Sequence, residues 1–178
     1  MSNSNYPEQK KTALKVYFVI LVIAFIWNSA VILAPVFLKM GGIYTTISLF
    51  MYSAFSNTCH QEEARSFALV GNSLAVCSRC TVIYLSFFAG SIIYPFVKRL
   101  NNTTMPPLWL LFTVAGIMFF DAVSDLTGLY NNSFLTRSIS GGLLGFVLTF
   151  YIIPGLINFV LEVKFFFKPQ NPDSATSK

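Results

Sequence analysis

Residues 16–38 read VYFVILVIAFIWNSAVILAPVFL, apolar throughout except for Asn28 and Ser29. About 20 such residues are needed for an α-helix to cross a hydrocarbon core of about 30 Å. Pro35, near the end of the run, is tolerable in a membrane helix because neighbouring groups satisfy the carbonyl it frees. Lys39 and the pair Gly41-Gly42 close the run. Its length and lack of a small-residue cleavage site read as a retained signal anchor, not a cleaved signal peptide.

Three further apolar runs follow, at residues 81–97, 107–120 and 140–161. Lys98-Arg99 ends the first, Asp121 the second, and Pro154-Gly155 predicts a kink in the third. Residues 43–55 form a shorter run carrying Thr45, Thr46, Ser48 and Ser53. They predict a short helix that is interfacial, re-entrant or packed on the bundle. The expected fold is therefore all-α, a polytopic transmembrane helical bundle with about four spanning helices plus this short one. Its expected divisions are an N-terminal segment at 1–15, a transmembrane domain at 16–163 and a C-terminal tail at 164–178.

Composition agrees. Hydrophobic residues make up 54% of the chain and charged residues 11%, too few charges to coat a water-facing domain. The 19 Phe and 8 Tyr suit lipid-facing helices and their interfaces. The net charge of +5 does not point to nucleic acid, because the basic residues form no single patch. They fall in small groups beside the apolar runs: Lys10, Lys11 and Lys15; Lys98 and Arg99; Lys164 and Lys168. Four spans with both termini in the cytoplasm put all three groups on the inner side of the cell membrane.

The outer side then receives the polar centre of the chain. All three cysteines and the single histidine lie within residues 59–80. Cys77 and Cys80 have C-x-x-C spacing, which can clamp a metal ion or form a redox disulfide. Cys59 and His60 add up to two soft ligands. Four ligands would close a tetrahedral zinc site and three would leave a position open for water or substrate. Iron and copper share these ligand preferences.

Asp121 and Asp125 are four residues apart and so share a helix face. A carboxylate at that depth needs a partner; Arg137 is the first candidate for Asp121 and Arg79 the second. The pair and its arginines read either as an interfacial ion-pair set or as catalytic groups, with a carboxylate serving as base or orienting one. Arg65, with Ser66 beside it, suits an anionic headgroup, as do Arg79 and Arg137. Gly141, Gly142 and Gly145 read as close helix packing.

At Cys59-His60-Gln61, Arg65-Ser66-Phe67 and Cys77-Ser78-Arg79-Cys80-Thr81 the chain resembles a family of predicted bacterial and archaeal membrane proteins whose function is unknown. The signature is C-H-Q, then R-S-F, then C-x-R-C-T-G-I-Y. The resemblance runs on through Asp121 and Arg137-Ser138 to Gly141, and implies an integral membrane protein without naming a reaction. Val82 stands where the family has Gly, and Asp125 where it often has a neutral amide.

Three functions fit these residues. One is a membrane metalloprotein with a zinc site, acting as an enzyme on an anionic lipid or other membrane-soluble substrate. Another is a thiol–disulfide oxidoreductase using Cys77 and Cys80. The third is a structural or metal-handling protein without catalysis, its metal stapling the outer loop to the bundle.

Overall fold

The computed structural model describes residues 6–100, 102–128 and 132–167. The chain forms α1 (Tyr6–Met40), α2 (Ile43–Ser56), a 3-10 turn (Glu63–Arg65), a small antiparallel hairpin of β1 (Ala68–Leu69) and β2 (Asn72–Ser73), then α3 (Ser78–Val97), α4 (Leu108–Leu126) and α5 (Phe134–Phe167). Four helices are long and apolar enough to cross a membrane: α1, α3, α4 and α5. This is the all-α bundle expected. Much of its outer surface is apolar, with Phe18, Ile23, Phe96, Phe112 and Phe120 exposed for lipid to cover.

α2 is the short element. Its 14 residues rise about 21 Å at 1.5 Å each, less than a hydrocarbon core. Gly41 and Gly42, at φ 76° and 60°, turn the chain back through a left-handed backbone that residues with a Cβ rarely adopt. α2 then packs against α1. Buried Ser48 donates to the carbonyl of Ala34 at 2.7 Å, and Asn72 donates to that of Pro35 at 3.3 Å. These donors tie α2 and the hairpin to the last turns of α1.

Three helices run past their apolar stretches, α4 as the shared face of Asp121 and Asp125 requires. α1 starts at Tyr6, so Lys10, Lys11 and Lys15 lie on the helix and not in a segment before it. α4 continues past residue 120 to Leu126, which places Asp121 and Asp125 on its last turns. α5 starts at Phe134 and includes Arg137, which the apolar pattern had left in a loop. In each case the hydrogen-bonded ladder runs on past the apolar run, whose end hydropathy marks without marking the end of the helix. Lys168 and the tail after it lie outside the described residues.

α3 and α5 form the closest pair. Gly90, Gly141 and Gly145 let the two backbones approach: a Cβ on Gly145 would collide with the carbonyl of Ile83 and the hydroxyl of Ser86, and one on Gly141 would lie 2.8 Å from the carbonyl oxygen of Arg79. Val82 packs towards Gly142, whose missing side chain makes room for it. Thr149 donates to the Phe87 carbonyl across the same seam at 3.3 Å. Gly145→Ala should therefore push the helices apart and lower stability by about 1–3 kcal/mol, the range for overpacking. Thermal unfolding in micelles measures this, and an unchanged midpoint would refute the close approach.

The core has two centres. One joins Val31, Ala34, Phe55, Cys59, Leu74, Ala75 and Val76, with Cys77, Cys80 and Tyr84 packed against it. The other joins Ala13, Ile20, Tyr94, Ile153 and Ile157 at the opposite end. Lys164 donates to Thr12 at 3.0 Å and lies 3.7 Å from Glu8, so the start of α1 and the end of α5 share that second end. The turn after α3, with Lys98 and Arg99, returns there too. All the polar residues proposed as a site gather at the first end.

A thiol triad beside an arginine cleft

The loop between α2 and α3 must bring Cys59 back to Cys77, and Gln61 holds it there. Gln61 has a left-handed backbone (φ 52°), and its amide nitrogen donates to the carbonyls of Tyr52 at 2.7 Å and Ala75 at 2.8 Å. One side chain thus ties the end of α2 to the segment entering α3. Tyr52 adds a hydrogen bond to the Ser73 carbonyl. The backbone N–H of Cys77 then donates to the Cys59 sulfur at 3.2 Å.

Cys59, Cys77 and Cys80 are free thiols, with Sγ atoms all within 4.8 Å of one another. They can hold a metal ion. Thiolates at the usual zinc–sulfur length of about 2.3 Å around a tetrahedral ion lie about 3.8 Å apart, so small side-chain adjustments suffice. Hydrogen bonds from the thiols of Cys77 and then Cys80, with the N–H groups of Cys77 and Gln61, hold the Cys59 thiol far below its ordinary pKa, against the opposing effect of burial. Cys59 is therefore favoured as thiolate, the form that binds metals and attacks disulfides. His60 is exposed and stands outside the group of three ligand atoms, on the wall of the adjoining cleft.

That cleft has a volume of about 440 Å³. The three cysteines line it with Thr58, His60, Glu62 and Arg65 from the loop, Arg79 from α3, Met118, Ala122, Asp125 and Leu126 from α4, and Arg137 from α5. The acidic pair sits as anticipated, and Asp121 takes its second candidate, Arg79, while Arg137 goes to Asp125. Asp121 accepts from Arg79 Nη2 at 2.5 Å, from the Ser140 hydroxyl at 3.0 Å and from Asn132 Nδ2 at 2.9 Å. Asp125 accepts from Arg137 at 2.9 and 3.0 Å, and Arg65 lies 3.3 Å away. The reason is hairpin register. α4 and α5 are antiparallel, so residues equally far from their turn face each other: Asp125 meets Arg137, and one turn deeper Asp121 meets Ser140.

Ser66 is buried, donates to the Glu62 carbonyl at 2.8 Å and does not line the cleft. Its position suits shaping of the loop. Ser140 could have been found by counting back from the turn. Gln61 stands in the C-H-Q motif, which marks it without giving its role, and Asn132, which acts through loop conformation, leaves no such signal.

Comparison with known proteins places the chain in one family. A family described as "Predicted membrane protein (DUF2085)" matches residues 59–151, over half of the chain. An uncharacterized protein of Methanocaldococcus jannaschii is 37% identical over 145 residues, covering 79% of this chain and 93% of that protein. One from Methanothermobacter thermautotrophicus is 32% identical over 87 residues, 49% of this chain and 77% of the relative. The protein belongs to this family of predicted membrane proteins. No solved structure matches it.

Proposed function

We propose that this protein is a membrane metalloprotein in which Cys59, Cys77 and Cys80 hold one thiophilic ion, zinc before iron or copper, and that it acts as an enzyme on an anionic, membrane-soluble substrate. The observation that carries the reading is the convergence of three thiols in the wall of a cleft that also presents Arg65, Arg79 and Arg137. Three protein ligands leave a coordination position open, the pattern of catalytic sites and not of closed structural ones. A bound ion supplies Lewis acidity towards a phosphoryl or carbonyl oxygen or a water. The chain's own residues do the rest. Arg65, Arg79 and Arg137 bind and orient the anionic group. Asp125, on the cleft wall, holds Arg137 and Arg65 in place, and exposed His60 is the group placed to exchange a proton with solvent. Asp121 positions Arg79. The test is elemental analysis of purified protein with a thiol count. About one zinc per chain, with three reactive thiols after chelation, is expected. Metal-free protein with a single reactive thiol would overturn the reading.

That second outcome would favour a thiol–disulfide oxidoreductase. The observation on its side is the proximity of the three free thiols, Cys59 beside Cys77 and Cys80, an arrangement suited to disulfide exchange.

The triad is assigned to the extracytoplasmic side, with both termini in the cytoplasm. The support is the gathering of Lys10, Lys11, Lys15, Lys98, Arg99 and Lys164 at the opposite end. A cysteine introduced by Ser133→Cys should react with an impermeant maleimide in intact cells, and one introduced by Asn102→Cys only after permeabilisation, each compared with the unsubstituted chain. The reverse pattern would invert the topology.

A further inference from the structure

We infer that the cleft seats the phosphoryl head of an amphiphile whose hydrocarbon chain enters sideways from the bilayer, between α3 and α4. This deepens the proposed function, resting on its arginine cleft and not on the ion.

α4 stands apart. It packs chiefly on α5, its backbone makes at most marginal approach to α3, and Val114 is its one buried residue. The ion pair of Arg79 and Asp121 bridges the gap. On the α4 side, Met118, Ala122 and Asp125 follow one helical stripe at i, i+4 and i+7. The stripe is polar at the outer end and apolar below, where it continues through Ala115 and Leu111, both partly buried. One opening therefore offers charge at headgroup level and an apolar wall beneath.

The charged end has unused capacity. Arg137 is 8% exposed and its Nε has no hydrogen-bond partner; the Nε of Arg79 is likewise buried and unpartnered. Both guanidinium groups already hold an aspartate through Nη2, so each keeps a donor in reserve. Arg65 is looser, its side chain 38% exposed and shared between Glu62 and Asp125. Donors thus come from three separate elements: the loop, α3 and α5. A tetrahedral phosphoryl group, with its oxygens directed apart, can accept from all three at once. Guanidinium is also the side chain best matched to phosphate.

The experiment follows thermal unfolding of the full chain in dodecyl maltoside, titrated with dodecyl phosphate, inorganic phosphate or dodecanol, with bound metal measured on the same samples. Dodecyl phosphate should saturate at about 100-fold lower concentration than inorganic phosphate, the gain from burying a few methylene groups. Dodecanol should give no saturable shift. Arg65→Gln should weaken dodecyl phosphate about tenfold, as loss of a charged hydrogen bond does. Ala122→Phe should remove the advantage of dodecyl over inorganic phosphate while leaving inorganic phosphate unaffected; Met118→Trp replaces it if that variant does not fold. Equal affinity for the two phosphates would overturn the chain seat, and a response to dodecanol as strong as that to dodecyl phosphate would overturn the head site. Shifts unchanged by all the variants would be micellar and would overturn both. Metal-free protein that still binds dodecyl phosphate in this pattern refutes the metal reading and keeps this inference. Metal-loaded protein that ignores dodecyl phosphate does the opposite.

Discussion

Serine in place of any one of Cys59, Cys77 and Cys80 should reduce bound zinc from about one per chain to less than about a tenth. A serine hydroxyl stays protonated near neutral pH and ligates zinc poorly, so each substitution removes a third of the protein's coordination. Stability should fall with the metal. The loop from α2 to α3 buries little beyond Cys59, Leu74, Ala75 and Val76. Structural zinc binding is worth about 10–16 kcal/mol in small domains. Losing even about 3 kcal/mol of such linkage lowers the unfolding midpoint by roughly 10 °C in a chain of this size. The diagnostic feature is equality: three ligands make three equivalent losses, whereas a disulfide uses two cysteines and leaves the third silent. His60→Ala should retain the metal, because His60 is exposed and outside the triad. Metal content and thermal unfolding of the four variants test this. A silent change at one cysteine in metal-free protein would sink the zinc site.

Removing one half of the Asp125–Arg137 pair should be the most damaging change outside the cysteines. The two side chains are 9% and 10% exposed. Arg137→Ala leaves a buried carboxylate with only the looser Arg65 nearby, and breaking such a pair costs about 3–5 kcal/mol. Asp125→Ala strands the guanidinium instead. Combining the two changes should cost less than their sum by about 0.5–3 kcal/mol, since the second removes the charge stranded by the first. Glu162→Ala, exposed at the other end of α5, should stay within about 0.5 kcal/mol of the parent. Chemical unfolding of the four proteins in micelles provides the comparison. Strict additivity would mean that the pair is solvated and contributes little.

The pairing of Asp121 with Arg79, its second candidate, and of Asp125 with Arg137 shows where reading from the chain stopped. Asp121 and Asp125 announced themselves because carboxylates beside apolar runs must be neutralised, a local requirement. Which arginine each one meets depends on the register of α4 against α5 and on the position of α3, neither of which hydropathy encodes. The triad divides in the same way. C-x-x-C spacing brings Cys77 and Cys80 onto neighbouring turns by local geometry, but Cys59 joins them only because Gln61, in a left-handed conformation, folds the loop back.

By itself the amino-acid sequence determined the membrane class, the four spanning helices and the short fifth one. Hydrocarbon thickness and the need to pair every backbone group inside the bilayer leave long apolar runs no other outcome. It also determined that chemistry-bearing side chains gather at one end of the bundle, since the same cost excludes them from the middle. Only the tertiary structure decided that three thiols and three arginines share one cleft, that His60 stays outside the triad, and that α4 packs chiefly on α5 with little approach to α3. Those outcomes rest on contacts between residues far apart in the chain, made by close approach at Gly141 and Gly145 and by one glutamine in a turn, and no local pattern of apolar and polar residues specifies them.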